Sequence, residues 1–126
     1  MNDIECADLR AAFLIASEIA GEFDALHSIT VQSGKAPVYH DGKALLVGDP
    51  TVVQLHGGVD NADRRCLRTL ALRWETVVNF GPMYGPAERR QRNVWVEHEG
   101  IRIQVFEQAA QPVPFDWCEA RMIAKY

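Results

Sequence analysis

The stretch Asn93-Val94-Trp95-Val96-Glu97-His98-Glu99-Gly100-Ile101-Arg102-Ile103-Gln104-Val105-Phe106 constrains the fold more than any other part of the chain. It reads as a β-hairpin with a two-residue turn at Glu99-Gly100. That turn sets His98 opposite Ile101, Glu97 opposite Arg102, Val96 opposite Ile103, Trp95 opposite Gln104 and Val94 opposite Val105. One face is then Val94, Val96, Ile101, Ile103 and Val105, with His98 at its edge. The other carries Trp95, Gln104 and the Glu97–Arg102 pair. Side chains alternate with period two, so a slip of one residue would send the apolar set to the wrong face and separate the opposite charges.

Such a hairpin needs partners to bury its apolar face, and 126 residues suffice for one domain around it. The chain is 48% hydrophobic and 24% charged, ordinary values for a globular protein. No apolar run reaches the about 18 residues that a membrane span needs. The acidic start, Met1-Asn2-Asp3-Ile4-Glu5, lacks the basic opening of a secretory signal, so export is not expected. Cys6, Cys66 and Cys118 are odd in number and far apart, which argues against a disulfide framework or a zinc site. The pattern fits a reducing cytosol, and the expected location is cytoplasmic.

The net charge of −4 is unevenly spread. Residues 1–59 hold eight acids and three bases, whereas residues 60–105 hold six acids and eight bases, all Arg. An acidic chain repels nucleic acid at long range, but a local Arg surface can still dock phosphate or carboxylate.

The remaining elements follow from periodicity and turn chemistry. Residues 4–23 read as a helix capped by Asp3, with Leu9, Ala12, Phe13, Ala16, Ile19, Ala20 and Phe23 as its buried stripe. Strands are expected at 28–32, 37–40, 43–47 and 51–56, the middle two joined by Asp41-Gly42 as a tight hairpin turn. A second helix over 61–74 takes Asp60 as N-cap and Asp63 as its capping-box partner. Cys66, Leu67, Leu70, Ala71 and Trp74 form its buried stripe, with Arg64, Arg65 and Arg68 outside it. A strand at 76–80 leads into a long connection, Gly81 to Asn93. After the hairpin and Pro112 and Pro114, Asp116 and Glu119 make a capping box for a short C-terminal helix ending near Lys125. The expectation is one α+β domain over residues 1–126. It has two layers, a mainly antiparallel sheet, and N-terminal, central and C-terminal helices. The segment from His56 to Phe80 is the one place where a helical crossover could give a parallel pairing.

Chemical motifs are sparse. His27, His40, His56 and His98 show no metal-binding spacing, and neither metal nor cofactor is expected. His56-Gly57-Gly58 resembles an esterase oxyanion loop, but no nucleophile elbow accompanies it. Ser33-Gly34-Lys35 lacks the leading glycine and spacer of a phosphate-binding loop. Cys118 falls in the first turn of the last expected helix without a basic neighbour in sequence, which fits a structural thiol.

Two features are left. Arg64, Arg65, Arg68 and Arg102, with Arg89, Arg90 and Arg92, would form an anion-binding surface if they converged; the alternative is a solvated, ion-paired set. The connection around Gly81-Pro82-Met83-Tyr84-Gly85-Pro86 is long for so small a domain, and such connections are commonly functional. Its prolines restrict the free state, and Met and Tyr offer contact surface. The leading expectation is a non-catalytic protein-interaction module. It would contact a protein partner, or a second copy of itself, through Met83 and Tyr84 with Arg89, Arg90 and Arg92 as a rim. The alternatives are an enzyme assembled from scattered His, Arg and Asp, and nucleic-acid binding through the Arg clusters. A cleft gathering histidines and arginines would favour the enzyme. Exposed apolar residues around Tyr84 would favour the binder.

Overall fold

The computed structural model describes residues 3–33, 35–40, 43–48, 51–108 and 115–117. The elements run α1 (Asp3–Glu22), β1 (Ser28–Gln32), β2 (Lys35–His40), β3 (Lys43–Gly48), β4 (Val52–His56), α2 (Ala62–Trp74), β5 (Asn79–Phe80), β6 (Gln91–His98) and β7 (Ile101–Gln108). The fold is mixed α+β, with a five-stranded sheet of order β1-β4-β7-β6-β5 and a separate β2-β3 ribbon. Every neighbouring pair is antiparallel except β4 and β7. The C-terminal helix expected from Asp116 onward falls almost wholly outside the described residues.

The β6-β7 hairpin has the register its sequence dictates, Val96 opposite Ile103 and Trp95 opposite Gln104. Both turn residues take positive φ, Glu99 at 53° and Gly100 at 79°. Such turns match the right-handed twist of the strands they join. The pairing also runs further than expected, setting Arg92 opposite Glu107 and Gln91 opposite Gln108. The β2-β3 pairing, His40 opposite Lys43, is the register a two-residue connection gives.

The parallel pair corrects the expected topology. It joins β4 to β7, with Val53 beside Ile103 and Gln54 beside Gln104, and not β4 to β5. A parallel return needs a long crossover, and here α2, β5 and β6 all lie within it. Strand β7 therefore sits at the centre of the sheet. Ile101, Ile103 and Val105 are no more than 1% exposed. They form one cluster with Val53, Leu55, Val94 and Val96 from the sheet and residues of both helices. The opposite face is more polar. There Gln104 donates from Nε2 to Gln54 Oε1 at 2.8 Å, and both side chains are buried.

Helix α1 is rotated from the expected stripe. Ala12, Ile15, Ala16 and Ile19 are buried, Phe23 is half-buried, and Phe13 and Leu14 are 60% and 62% exposed. Phe13, Leu14 and Ile15 are consecutive, and steps of 100° cannot bring all three onto one sheet. Ile15 shares its face with Ile19 and takes the core position.

The start of α2 also differs. Asp60 and Asn61 both adopt left-handed backbone, φ 55° and 59°, and neither caps the helix through its side chain. Asn and Asp tolerate this region better than most residues. The capping role falls to Asp63, whose Oδ1 accepts the Arg64 amide at 2.9 Å. The Asp63 amide in turn donates to Gly57 O at 3.2 Å. Arg64 is buried beside Asp63, Nε to Oδ1 3.8 Å, and does not belong to the solvent face assigned to it from periodicity. At the far end of α2, Arg73 makes a bidentate pair with Glu22 of α1. The expected strand at 76–80 contracts to Asn79–Phe80, with Val78 fully buried just before it.

Burial lifts the Asp63 carboxyl above the usual 3.8, against the opposing pull of the Arg64 amide and guanidinium. A folded-state pKa above the unfolded one means that the native protein binds this proton more tightly. Asp63 therefore costs stability as pH rises from 3.8 through its folded value. Asp63→Asn keeps the acceptor and removes the charge. Its stability relative to wild type should rise across that interval and level off above it. Urea midpoints measured from about pH 3 to 7 will show this; parallel curves would refute it.

Candidate protein-contact surface

The connection after β5 is ordered by its own backbone. Gly81 N donates to Asn93 O at 2.8 Å, then Tyr84 and Gln91 exchange two bonds, 2.8 and 2.9 Å. A Cβ on Gly81 would stand 3.2 Å from both Asn93 O and the Trp95 ring, so a side chain there would need its neighbours to give by a few tenths of an ångström. Beyond the Tyr84–Gln91 bridge the chain makes one tight turn at Ala87–Arg89, closed by Arg89 N donating to Pro86 O at 2.9 Å. Every residue from Pro82 to Arg90 is exposed.

Met83 is 38% and Tyr84 40% exposed, so neither folds back into the core. The Tyr84 hydroxyl reaches Asn93 Oδ1 at 3.4 Å. Asn93 alternates with the buried Val94 and so points away from the helices, opposite Phe106, which is 42% exposed. Trp95 shares that face, with the Arg102 guanidinium 4.4 Å above its ring. Tyr84, Asn93 and Phe106 thus continue the loop onto the sheet. Phe106 is not among the contact residues expected from sequence, although its alternation with the buried Val105 places it outside the core.

The arginines separate into different environments. Arg89 and Arg90 are exposed on the same connection as Tyr84. Arg92 is half-buried on the helix side, Nε to Glu107 Oε2 2.7 Å, with its guanidinium 4.6 Å from the Phe80 ring centre. The other Glu107 oxygen accepts Trp117 Nε1 at 3.1 Å. Arg65 is exposed and donates to Val59 O at 3.2 Å. Arg68 donates to Asp116 O at 2.8 Å and lies 4.8 Å from the Phe115 ring centre. Arg65 and Arg68 line a cleft of about 350 Å³ between the end of α1 and α2, but Glu22 and Asp24 line it too. Arg102 lies on the other side of the sheet.

His27, His56 and His98 are equally dispersed, and the His40 side chain lies outside the described residues. His56 Nε2 meets Thr30 Oγ1 at 2.9 Å on the face away from the helices. His98 stacks on Trp74 with ring centres 3.9 Å apart. His27 lines a second cleft of about 350 Å³ with Phe23, Asp24 and Ile29. Among the described residues, no group of three or more His, Cys, Asp or Glu is placed to hold a metal ion. Cys66 is buried in the core, and desolvation, with Glu22 and Asp63 adding to it, pushes its thiol up to about 12. A thiol held there carries almost no thiolate near neutrality. No described helix is long and apolar enough to cross a membrane. Comparison with family models, curated proteins and solved structures finds no match to this chain.

Proposed function

We propose that this protein is a small interaction module, non-catalytic, that contacts a protein partner through Met83 and Tyr84. Arg89 and Arg90 form the charged rim, and Phe106 extends the apolar surface onto the sheet. The observation that carries the reading is an exposed apolar pair held on an ordered loop. The Tyr84–Gln91 bridge fixes the loop base while both side chains stay in solvent. A pre-shaped loop gives up little conformational freedom on binding, and an aromatic anchor inside a polar rim is the usual anatomy of a contact hot spot. Arg92 is engaged by Glu107, so the rim rests on Arg89 and Arg90. The enzyme and nucleic-acid alternatives each required a convergence, of histidines with arginines or of the Arg clusters. The side-chain positions above supply no observation in favour of either.

The test is affinity capture from the native host with wild type and the Met83→Ala, Tyr84→Ala double variant. Truncating such an anchor costs on the order of 2 kcal/mol, about a thirtyfold loss of affinity. Neither side chain belongs to the buried cluster, so the variant should keep the wild-type circular dichroism and unfolding midpoint. The same partners recovered in the same yield by both proteins would overturn the proposal.

A further inference from the structure

Helix α1 leaves a stripe in solvent that is complementary to itself. Arg10, Leu14 and Glu18 are spaced by four residues, which stacks them along one side of the helix. All three are exposed, and Leu14 is 62% exposed. Arg10 and Glu18 have no ion-pair partner among the described residues. Gly21 continues the stripe, and a Cβ there would meet nothing within 4 Å. Phe13 flanks it, 60% exposed. The core-facing side of α1 is occupied by Ala12, Ile15 and Ile19, and the Arg10, Leu14 and Glu18 side chains lie outside that cluster in solvent.

We infer that this stripe is where a second copy of the chain docks, with the two α1 helices antiparallel about a two-fold axis at Leu14. The charge order selects the occupant. Arg10 and Glu18 lie four residues to either side of Leu14, about 6 Å along the axis each way. A two-fold at Leu14 therefore sets each Arg10 against the second copy's Glu18, twice, with the leucines meeting between them. Each residue then contacts the residue that contacts it, as an isologous interface requires. Parallel pairing would oppose Arg10 to Arg10 and Glu18 to Glu18. Helices pack at 8–10 Å between axes, and small residues at the contact favour the short end of that range, as Ser17 and Gly21 do here. The surface is independent of the Met83–Tyr84 loop, so either proposal can fail without the other.

A single helix pair buries less than the ~1,200 Å² of a standard interface, so the dimer is weak and concentration-dependent. Sedimentation equilibrium at low salt, up to hundreds of micromolar, should show the wild-type mass rising toward twice that of one chain. Leu14→Lys, Arg10→Glu and Glu18→Arg should each hold it at one chain. The double swap, Arg10→Glu with Glu18→Arg, restores opposite charges and should restore the dimer. All three positions substituted are exposed, and circular dichroism checks that each of the four variants keeps its fold. A wild type that stays monomeric throughout would overturn the inference. So would a dimer indifferent to Leu14→Lys or to the single reversals, or a double swap that stays monomeric.

Discussion

Replacing Ile103 by Ala should lower the unfolding free energy by about 3 kcal/mol, within the range for removing a buried isoleucine side chain from a packed core. Ile103 is fully buried in the central strand. It has Val96 opposite it on β6 and Val53 beside it on β4. The void would be bounded by strands on both sides and by helix residues of the same buried cluster. Domains of this kind have only about 5–15 kcal/mol in total, so the loss is a large fraction of it. Ile103→Val removes one methyl group and should cost about 1 kcal/mol. Urea titration of the three proteins measures both. A wild-type midpoint for Ile103→Ala would mean that the register or the buried face is misassigned.

The position of Ile103 was legible because two independent patterns, apolar alternation and the Glu97–Arg102 pair, select one register. That register also constrains residues beyond the apolar core. Running it outward places Arg92 opposite Glu107 and gives Arg92 the same parity as Val94 and Val96. Alternation alone thus marked Arg92 as facing the helix side, where it meets Glu107. Arg92 thus differs from Arg89 and Arg90, which precede the strand and are its neighbours only in sequence. The rotation of α1 had no such signal. Phe13, Leu14 and Ile15 are each acceptable core residues, and the choice among them depends on where the sheet lies. The β4–β7 pairing was hidden for a related reason: its partners lie about fifty residues apart, and nothing local in either strand specifies a parallel neighbour. At the entry to α2, Asp60 has the composition of an N-cap, and only the backbone shows that Asp60 and Asn61 turn left-handed instead. In the loop, the sequence located Met83 and Tyr84, while their exposure depended on the Tyr84–Gln91 bridge. Met and Tyr pack readily into a core, so composition could not decide it.

That same turn into α2 makes Gly58, among the described glycines, the one whose replacement should do most damage. Its φ is 108°, a region that disfavours any side chain. A Cβ there would stand 2.3 Å from Ala25 O and 2.8 Å from Ala62 Cβ. Neither neighbour can swing aside. Ala25 O belongs to the backbone joining α1 to β1, and Ala62 is the first residue of α2. Relief would require the α1–β1 connection to separate from the start of α2, straining the Asp63 N to Gly57 O and His27 N to His56 O bonds nearby. Gly58→Ala should therefore combine backbone strain with overpacking and cost about 3 kcal/mol or more. Gly100→Ala separates the two effects. Its φ of 79° is also positive, but a Cβ there meets nothing within 4 Å. It should carry the conformational penalty alone, about 1 kcal/mol. Thermal or urea unfolding of both variants gives the comparison. Equal losses at the two positions would show that backbone conformation, and not the close approach of Ala25, governs this junction.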